Sequence, residues 1–360
     1  KQEKQYLIDL YQKLTERQNQ IETNVEDILP KVTVEDVPES IKVPGCYETM
    51  QGSLQISHYN QGTNGLVYQQ LLLDLPDLTE EEYRYLPIFN YCFGELGCAD
   101  KDYLTLQVEQ SQVSGGIHAN SSMRGDISDE QQVKGFYVVS GKSLLRNHAK
   151  MTALLKSIFE ELRFDETDRI KELVSQIRMR KEHSVTGSGH SLAMQAASSG
   201  MSPVAKLSHE NKGLASIAFL KQLDTDLQSD DSESTLSTLL DNLRSIHQKL
   251  KQSPTQFLLV CEEDAYSDCE QDIVDAWGTT DFINHNPERT LKLDAVKKDI
   301  KQAWLTSTQV NFCAKSFATV PVEHPDAAAL TILGGFLRNG YLHRSIREQG
   351  GAYGGGANQD

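Results

Sequence analysis

Apolar residues fall every seven positions at Leu7, Leu14, Ile21 and Ile28, with Tyr11 and Val25 interleaved, and Pro30 closes the run. That spacing predicts one long amphipathic helix, and so short a heptad run packs on its own protein more readily than it forms a free coiled-coil dimer. Residues up to Pro44 are rich in Val, Pro and Glu and read as an extended linker. From Gly52 the period changes to two. Ser53–Tyr59 and Leu66–Leu75 read as strands, separated by the turn-forming run Asn60–Gly65. Thr79 caps a helix running to about Leu96, with Glu80, Glu81 and Glu82 in its first turn, and Gly97 ends it. Tyr103–Gly115, Gly116–Met123 and Gly135–Ser140 alternate like strands of an antiparallel meander, with a bend or close backbone approach at Gly115–Gly116.

Two helices follow, near Leu144–Leu162 and Glu166–His183, each with an apolar face. Gly187–His190 interrupts the second, and small-residue helical segments continue to about Leu223. Ser229–Ser234 is an acidic loop; Leu236, Leu239, Leu240, Leu243, Ile246 and Leu250 then mark a further amphipathic helix, stopped before Pro254. Phe257–Cys261 is a short strand and Asp268–Trp277 a closing helix. The whole is an α+β unit, a sheet with helices packed on it in two layers. Leu293–Thr306 then reads as a helix and Gln309–Val320 as a strand. A strand, an acidic turn and a helix ending in Gly thus occur twice, at Leu66–Gly97 and Val310–Gly340, about 245 residues apart, a period that suits duplicated domains. The expected organisation is an arm and linker over 1–45, an α+β domain over 46–278, and the start of a second such domain over 279–360, cut short at Asp360.

The helix of this last part lies in His324–Gly356. Pro325 and Asp326 start it, and Leu330, Leu333, Leu337 and Tyr341 recur at helical spacing with Ile332 and Phe336 beside them. Gly334 and Gly335 cost helix propensity, which predicts close approach of another backbone. The run ends in Arg347, then Gly350–Gly351, then Tyr353 among glycines. One basic and one phenolic side chain are therefore held just past a helix end. By themselves they also suit an Arg capping its helix and a Tyr packed on a sheet.

This segment resembles the second-half signature of the pitrilysin/insulysin (inverzincin) family of zinc metallopeptidases, and most of all its presequence protease-like branch. There a helix ends in an Arg, followed six residues later by a Tyr in a Gly-rich strand. The resemblance implies four homologous α+β domains in a full chain, with Lys1–Ile28 as the second arm of the helical hairpin joining the halves. It implies that Arg347 and Tyr353 face a zinc-bound peptide across a closed chamber, as catalytic and substrate-binding residues, with Gly351 and Gly354 beside the substrate. A guanidinium and a phenol are suitable fixed donors for a developing oxyanion. The zinc motif of the family, H-x-x-E-H, is absent: none of the ten histidines has another four residues away. Zinc is therefore expected in the N-terminal half of a longer polypeptide, with none bound by this portion. His183 and His190, with Glu182, make at most a makeshift metal site; His190 suits a fold role, His118 and His148 read as surface residues and His324 as a helix-start residue.

Composition narrows the partners. The net charge of −16 excludes nucleic-acid and anionic-membrane binding as first readings, and no apolar run approaches a membrane span. Lys1 is not an initiator Met, so the chain is expected to begin inside a longer one. The six cysteines form no C-x-x-C pair and read as free thiols in a reducing compartment, the cytoplasm first and an organelle matrix as the alternative. Gly187–Gly189 is no nucleophile elbow, and Gly354–Gly356 lacks the Lys of a phosphate loop. The expected function is the C-terminal-side portion of a zinc metalloendopeptidase that degrades unfolded peptides, such as cleaved targeting peptides. Its partners would be a peptide substrate and the N-terminal half of the same polypeptide. The rivals are a non-catalytic structural homologue, such as a bc1 core subunit or the inactive partner of a processing peptidase, and a dimerising helical module built on Leu7–Ile28.

Overall fold

A computed structural model of the chain describes residues 2–19, 30–230 and 232–359. The chain divides into two compact units, one of Pro44–Thr319 and one that combines Lys1–Val43 with Val320–Asp360.

The larger unit is built on a six-stranded sheet of order β1-β2-β6-β3-β5-β4. Its strands are β1 (Cys46–Gln51), β2 (Leu54–Asn60), β3 (Leu66–Asp74), β4 (Ile117–Gly125), β5 (Val133–Leu144) and β6 (Thr255–Cys261). All neighbours run antiparallel except β2 and β6, which are parallel from Ile56↔Phe257 to Asn60↔Cys261. Alternate residues of each inner strand are buried, as a sheet covered on one face requires: Val67, Leu71 and Leu73 on β3, Tyr137 and Val139 on β5, Phe257 and Leu259 on β6. The helices over this face are α2 (Glu80–Cys92), α3 (Tyr103–Val113), α4 (His148–Glu160), α5 (Thr167–Ser198), α6 (Pro203–Lys212), α7 (Leu214–Leu227), α8 (Ser232–Lys251) and α9 (Tyr266–Trp277). Trp277, fully buried, closes the core with its ring 5.5 Å from Phe257, 5.7 Å from Phe282 and 6.0 Å from Phe159. The α+β, two-layer reading holds.

Local signals explain several boundaries. Thr79 Oγ1 accepts from Glu82 N at 3.1 Å while Glu82 Oε2 accepts from Thr79 N at 2.7 Å, a reciprocal cap that starts α2. Glu82 also takes hydrogen bonds from Ser245 Oγ at 2.6 Å and Lys249 Nζ at 2.7 Å, tying α2 to α8.

Other expectations are corrected. Tyr103–Gly115 is no strand: Asp102 caps Thr105 N at 2.9 Å, and the buried residues Leu106, Gln110 and Val113 follow a helical period. The alternation that suggested a strand rested on Leu104 and Val108, which are exposed. The glycines at Gly187–His190 do not end their helix. They leave a kink at Ser188 (φ −118°, ψ 15°) inside α5. His148 is fully buried, with Nδ1 2.9 Å from Asp272 Oδ2 on α9, and so is not a surface residue. The edge strand β1 escaped notice because it is largely exposed and shows no apolar alternation.

The run 278–319 forms neither the helix expected at Leu293–Thr306 nor the strand expected at Gln309–Val320. It is an irregular strap whose N–H groups are taken by distant acceptors, which leaves no repeating helical or ladder pattern. Leu291 N donates to Val133 O at 2.8 Å, Val296 N to Gln131 Oε1 at 2.8 Å, and Lys298 N to Gly200 O at 2.8 Å. Asp74 at the end of β3 pairs with His285 and accepts from Asn286 N at 3.2 Å. Leu291 is buried over Gly135, where an added Cβ would lie 2.7 Å from its Cδ1, so the strap needs a glycine beneath it.

In the smaller unit, α1 (Gln2–Asn19) carries exposed Tyr6, Leu7, Leu10, Tyr11 and Leu14. The rest of the expected heptad run, Ile21, Val25 and Ile28, lies outside the described residues. Residues 30–43 are exposed and largely irregular, as a linker reading implies.

Candidate functional site

The sequence-selected residues sit on one continuous helical run in the smaller unit. α10 (Ala327–Phe336) passes directly into a π-helical segment, Leu337–Gln349. The regular 3.6-residue spacing expected through Tyr341 therefore stops at Phe336. Wide helical turns of this kind are rare and concentrate at functional sites. Gly334 does admit another backbone: an added Cβ would lie 3.1 Å from Asn358 Cα and 3.3 Å from Ala357 O, whereas Gly335 faces open space. The Gly-rich tail thus folds back along the helix that precedes it.

The fold-back is made by backbone bonds. Gly350 N donates to Ser345 O at 3.0 Å, Gly351 N to Arg347 O at 3.1 Å and Ala352 N to Ile346 O at 3.0 Å. Gly351 has φ +72°, a left-handed conformation that glycine adopts without strain. Arg347 is thereby joined to Gly351 through its own carbonyl, and Tyr353 follows two residues on. Both side chains are exposed, Tyr353 to 95%, and among the described residues neither the guanidinium nor the phenol has a partner. An added Cβ at Gly351 or Gly354 would meet nothing within 4 Å. The neighbouring polar groups are occupied differently. Arg344 donates to Gln18 O at 2.7 Å, Gln18 Nε2 donates to Glu348 O at 2.8 Å, and His343 Nδ1 lies 3.4 Å from Glu348 Oε1. The arrangement ties the end of α1 to the π-helical segment and leaves two donors facing outward.

The histidines do not assemble a metal centre. His183 and His190 are exposed, and Glu182 is engaged by Arg178 at 2.5 Å. Among the described residues no group of three or more His, Cys, Asp or Glu side chains is placed to hold a metal ion. A zinc ion therefore does not fit the described residues. Cys92, Cys98, Cys261 and Cys269 are buried free thiols, and Cys46 and Cys313 are exposed. Burial pushes the Cys92 thiol up to about 12, which removes it as a nucleophile. No described helix is long and apolar enough to cross a membrane.

The sequence reading passed over Lys181. Burial, with Lys212 adding to it, lowers its ammonium to about 8. No motif marks it, and only the packing of α5 against α6 and α7 encloses it.

Comparison with known proteins gives three kinds of match. The family described as peptidase M16 (subfamily C) associated matches residues 1–223. A mitochondrial presequence protease of Yarrowia lipolytica is 28% identical over 337 residues, covering 92% of this chain and 33% of that protein. Another, from Danio rerio, is 27% identical over 355 residues, covering 91% and 34%. The chain thus spans about a third of the length of the curated relatives it matches. Among solved structures, a peptidase M16 inactive domain from Pseudomonas fluorescens aligns with a TM-score of 0.47 and 14% identity, covering 86% of this chain and 69% of that one.

Proposed function

The chain belongs to the family associated with subfamily C of the M16 peptidases, and from that premise we propose that it is the C-terminal-side portion of a zinc metalloendopeptidase acting on unfolded peptides. The observation that carries this reading is the pair Arg347 and Tyr353, a guanidinium and a phenol that leave the same fold-back without any partner inside the described residues. Groups so exposed are free to donate hydrogen bonds to a carbonyl oxygen presented from outside the unit. Their role is to hold the peptide and to stabilise negative charge developing on that oxygen; Gly351 and Gly354 leave room for the peptide backbone beside them. Zinc would be held by the N-terminal half of the same polypeptide, since no described cluster fits it here, and this portion alone cleaves nothing. The names of the relatives, presequence proteases of mitochondria, favour cleaved targeting peptides as substrates. They also favour an organelle matrix over the cytoplasm, and free thiols are compatible with either.

The test is made in the full-length polypeptide that contains this chain. Arg347→Ala and Tyr353→Phe should each lower kcat by about a hundredfold to a thousandfold, the usual loss for one oxyanion donor. KM should rise with Arg347→Ala more than with Tyr353→Phe, because the Arg also binds substrate. Unchanged kcat/KM in both variants refutes the assignment.

A further inference from the structure

Away from Arg347 and Tyr353, in the larger unit, the junction of α6 and α7 holds polar groups that the fold leaves unused. α7 begins after Gly213, and no side chain accepts from its first turn. Such a turn presents free N–H groups and the positive end of the helix dipole. Lys181 of α5 adds a cation there, donating from Nζ to Ser216 Oγ and to Asn211 O, both at 2.8 Å. A cation beside a helix N-terminus reverses the favourable arrangement. Among the described residues no carboxylate pairs with Lys181, and Lys212 adds to the positive field. The carboxylates near it, Glu182 and Asp224, are held by Arg178 at 2.5 and 2.6 Å.

Buried polar atoms at the same junction lack partners. His209, 7% exposed, has no partner for Nδ1, and that atom faces the start of α7: a Cβ on Gly213 would lie 2.7 Å from it. Asn211, 3% exposed, has no partner for either Oδ1 or Nδ2. Buried polar groups in native proteins are almost always satisfied, by protein, water or a bound ion. Lys212 is exposed and Leu214 and Ala215 are half-buried, so the turn is open to solvent on one side.

We propose that this junction binds a small oxyanion of the phosphate class. The anion accepts from the remaining N–H of Lys181 Nζ, from the Ser216 hydroxyl and from first-turn N–H groups of α7. His209, protonated on Nδ1, supplies a further donor. The site supplies the negative charge that Lys181 lacks, and it does not depend on the peptidase reading.

Isothermal titration of the chain with inorganic phosphate, at ionic strength held constant with sodium chloride, tests this. One saturable site is expected. Its affinity should fall at least about tenfold in Lys181→Met and several-fold in Ser216→Ala, as loss of a hydrogen bond to a charged group implies. In thermal unfolding, phosphate should raise the Tm of the unaltered chain and leave that of Lys181→Met unmoved. Without phosphate, Lys181→Met should melt at or above the unaltered chain, because an unpaired buried charge has gone; this separates lost binding from lost folding. If Lys181→Met does not fold, Ser216→Ala decides by the same criterion. No saturable binding up to about 10 mM phosphate, or equal binding by the unaltered chain and Ser216→Ala, overturns the proposal.

Discussion

Leu291 and Gly135 occupy one space between them, and substituting each separately and then together measures how firmly the strap belongs to the sheet. Leu291→Ala removes a side chain that is 7% exposed and leaves a void over β5. Such truncations cost about 2–5 kcal/mol, and a position at the margin of the core belongs at the lower end, about 2–3 kcal/mol. Gly135→Ala places a methyl 2.7 Å from Leu291 Cδ1 and 3.0 Å from Leu75 Cβ. Overpacking of this kind costs about 1–3 kcal/mol, offset by roughly 0.5 kcal/mol from replacing a strand glycine. In the double variant the new methyl fills part of the void left by Leu291, while its pressure on Leu75 remains. The two changes should therefore compensate by about 1 kcal/mol or more instead of adding. Urea unfolding of the single and double variants reads this directly, with Leu291→Ala alone lowering the midpoint by about 1 M. Additivity within about 0.5 kcal/mol would show that Leu291 does not rest on Gly135, and the account of the strap would fail.

Further outcomes follow from the buried charges. Burial raises the Glu82 carboxyl, but hydrogen bonds from Lys249, Ser245 and Thr79 outweigh it and hold the group below the usual carboxylate range. Its stabilising effect is therefore present above the unfolded value and lost as pH falls through the folded one. Lys249→Met should cost about 1–3 kcal/mol in chemical unfolding, discounted because Lys249 is partly exposed, and should move the acid-unfolding midpoint to higher pH. Lys181 has the opposite sign. Its folded value is lowered from 10.5 to about 8, so the unfolded chain holds more protons between those limits. Stability should rise with pH across that window in phosphate-free buffer, and Lys181→Met should remove the rise.

The parts of the fold legible in the sequence are those whose signals are local. Thr79 with three glutamates announces α2, and the leucines from Leu236 to Leu250 announce α8, because a cap and an apolar stripe are properties of adjacent residues. The strap was misread for the converse reason: Leu293, Val296, Ile300 and Trp304 have helical spacing, but their segment is held by Val133, Gln131 and Gly200, residues remote in the chain. Tyr103–Val113 was misread although Asp102 carried the cap signal, because apolar residues at alternate positions outweighed it. At the candidate site, Arg347 and Tyr353 were selected through a family resemblance; their freedom from internal partners is a tertiary fact. Lys181 had no signal at all, since what distinguishes it is the absence of a carboxylate in three-dimensional surroundings.

The position of β6 bears on how the protein is made. β2 and β3 are consecutive in sequence, yet β6 lies between them, hydrogen-bonded to both. A hairpin of those two early strands is thus a wrong pairing, and one that a growing polypeptide has ample time to form. The sheet can be completed only after Cys261 has left the ribosome, with every helix from α2 to α8 already synthesised. Whatever keeps β2 and β3 apart during that interval guards the yield of the native protein, and the open seam between them is where a chaperone would act on the nascent chain.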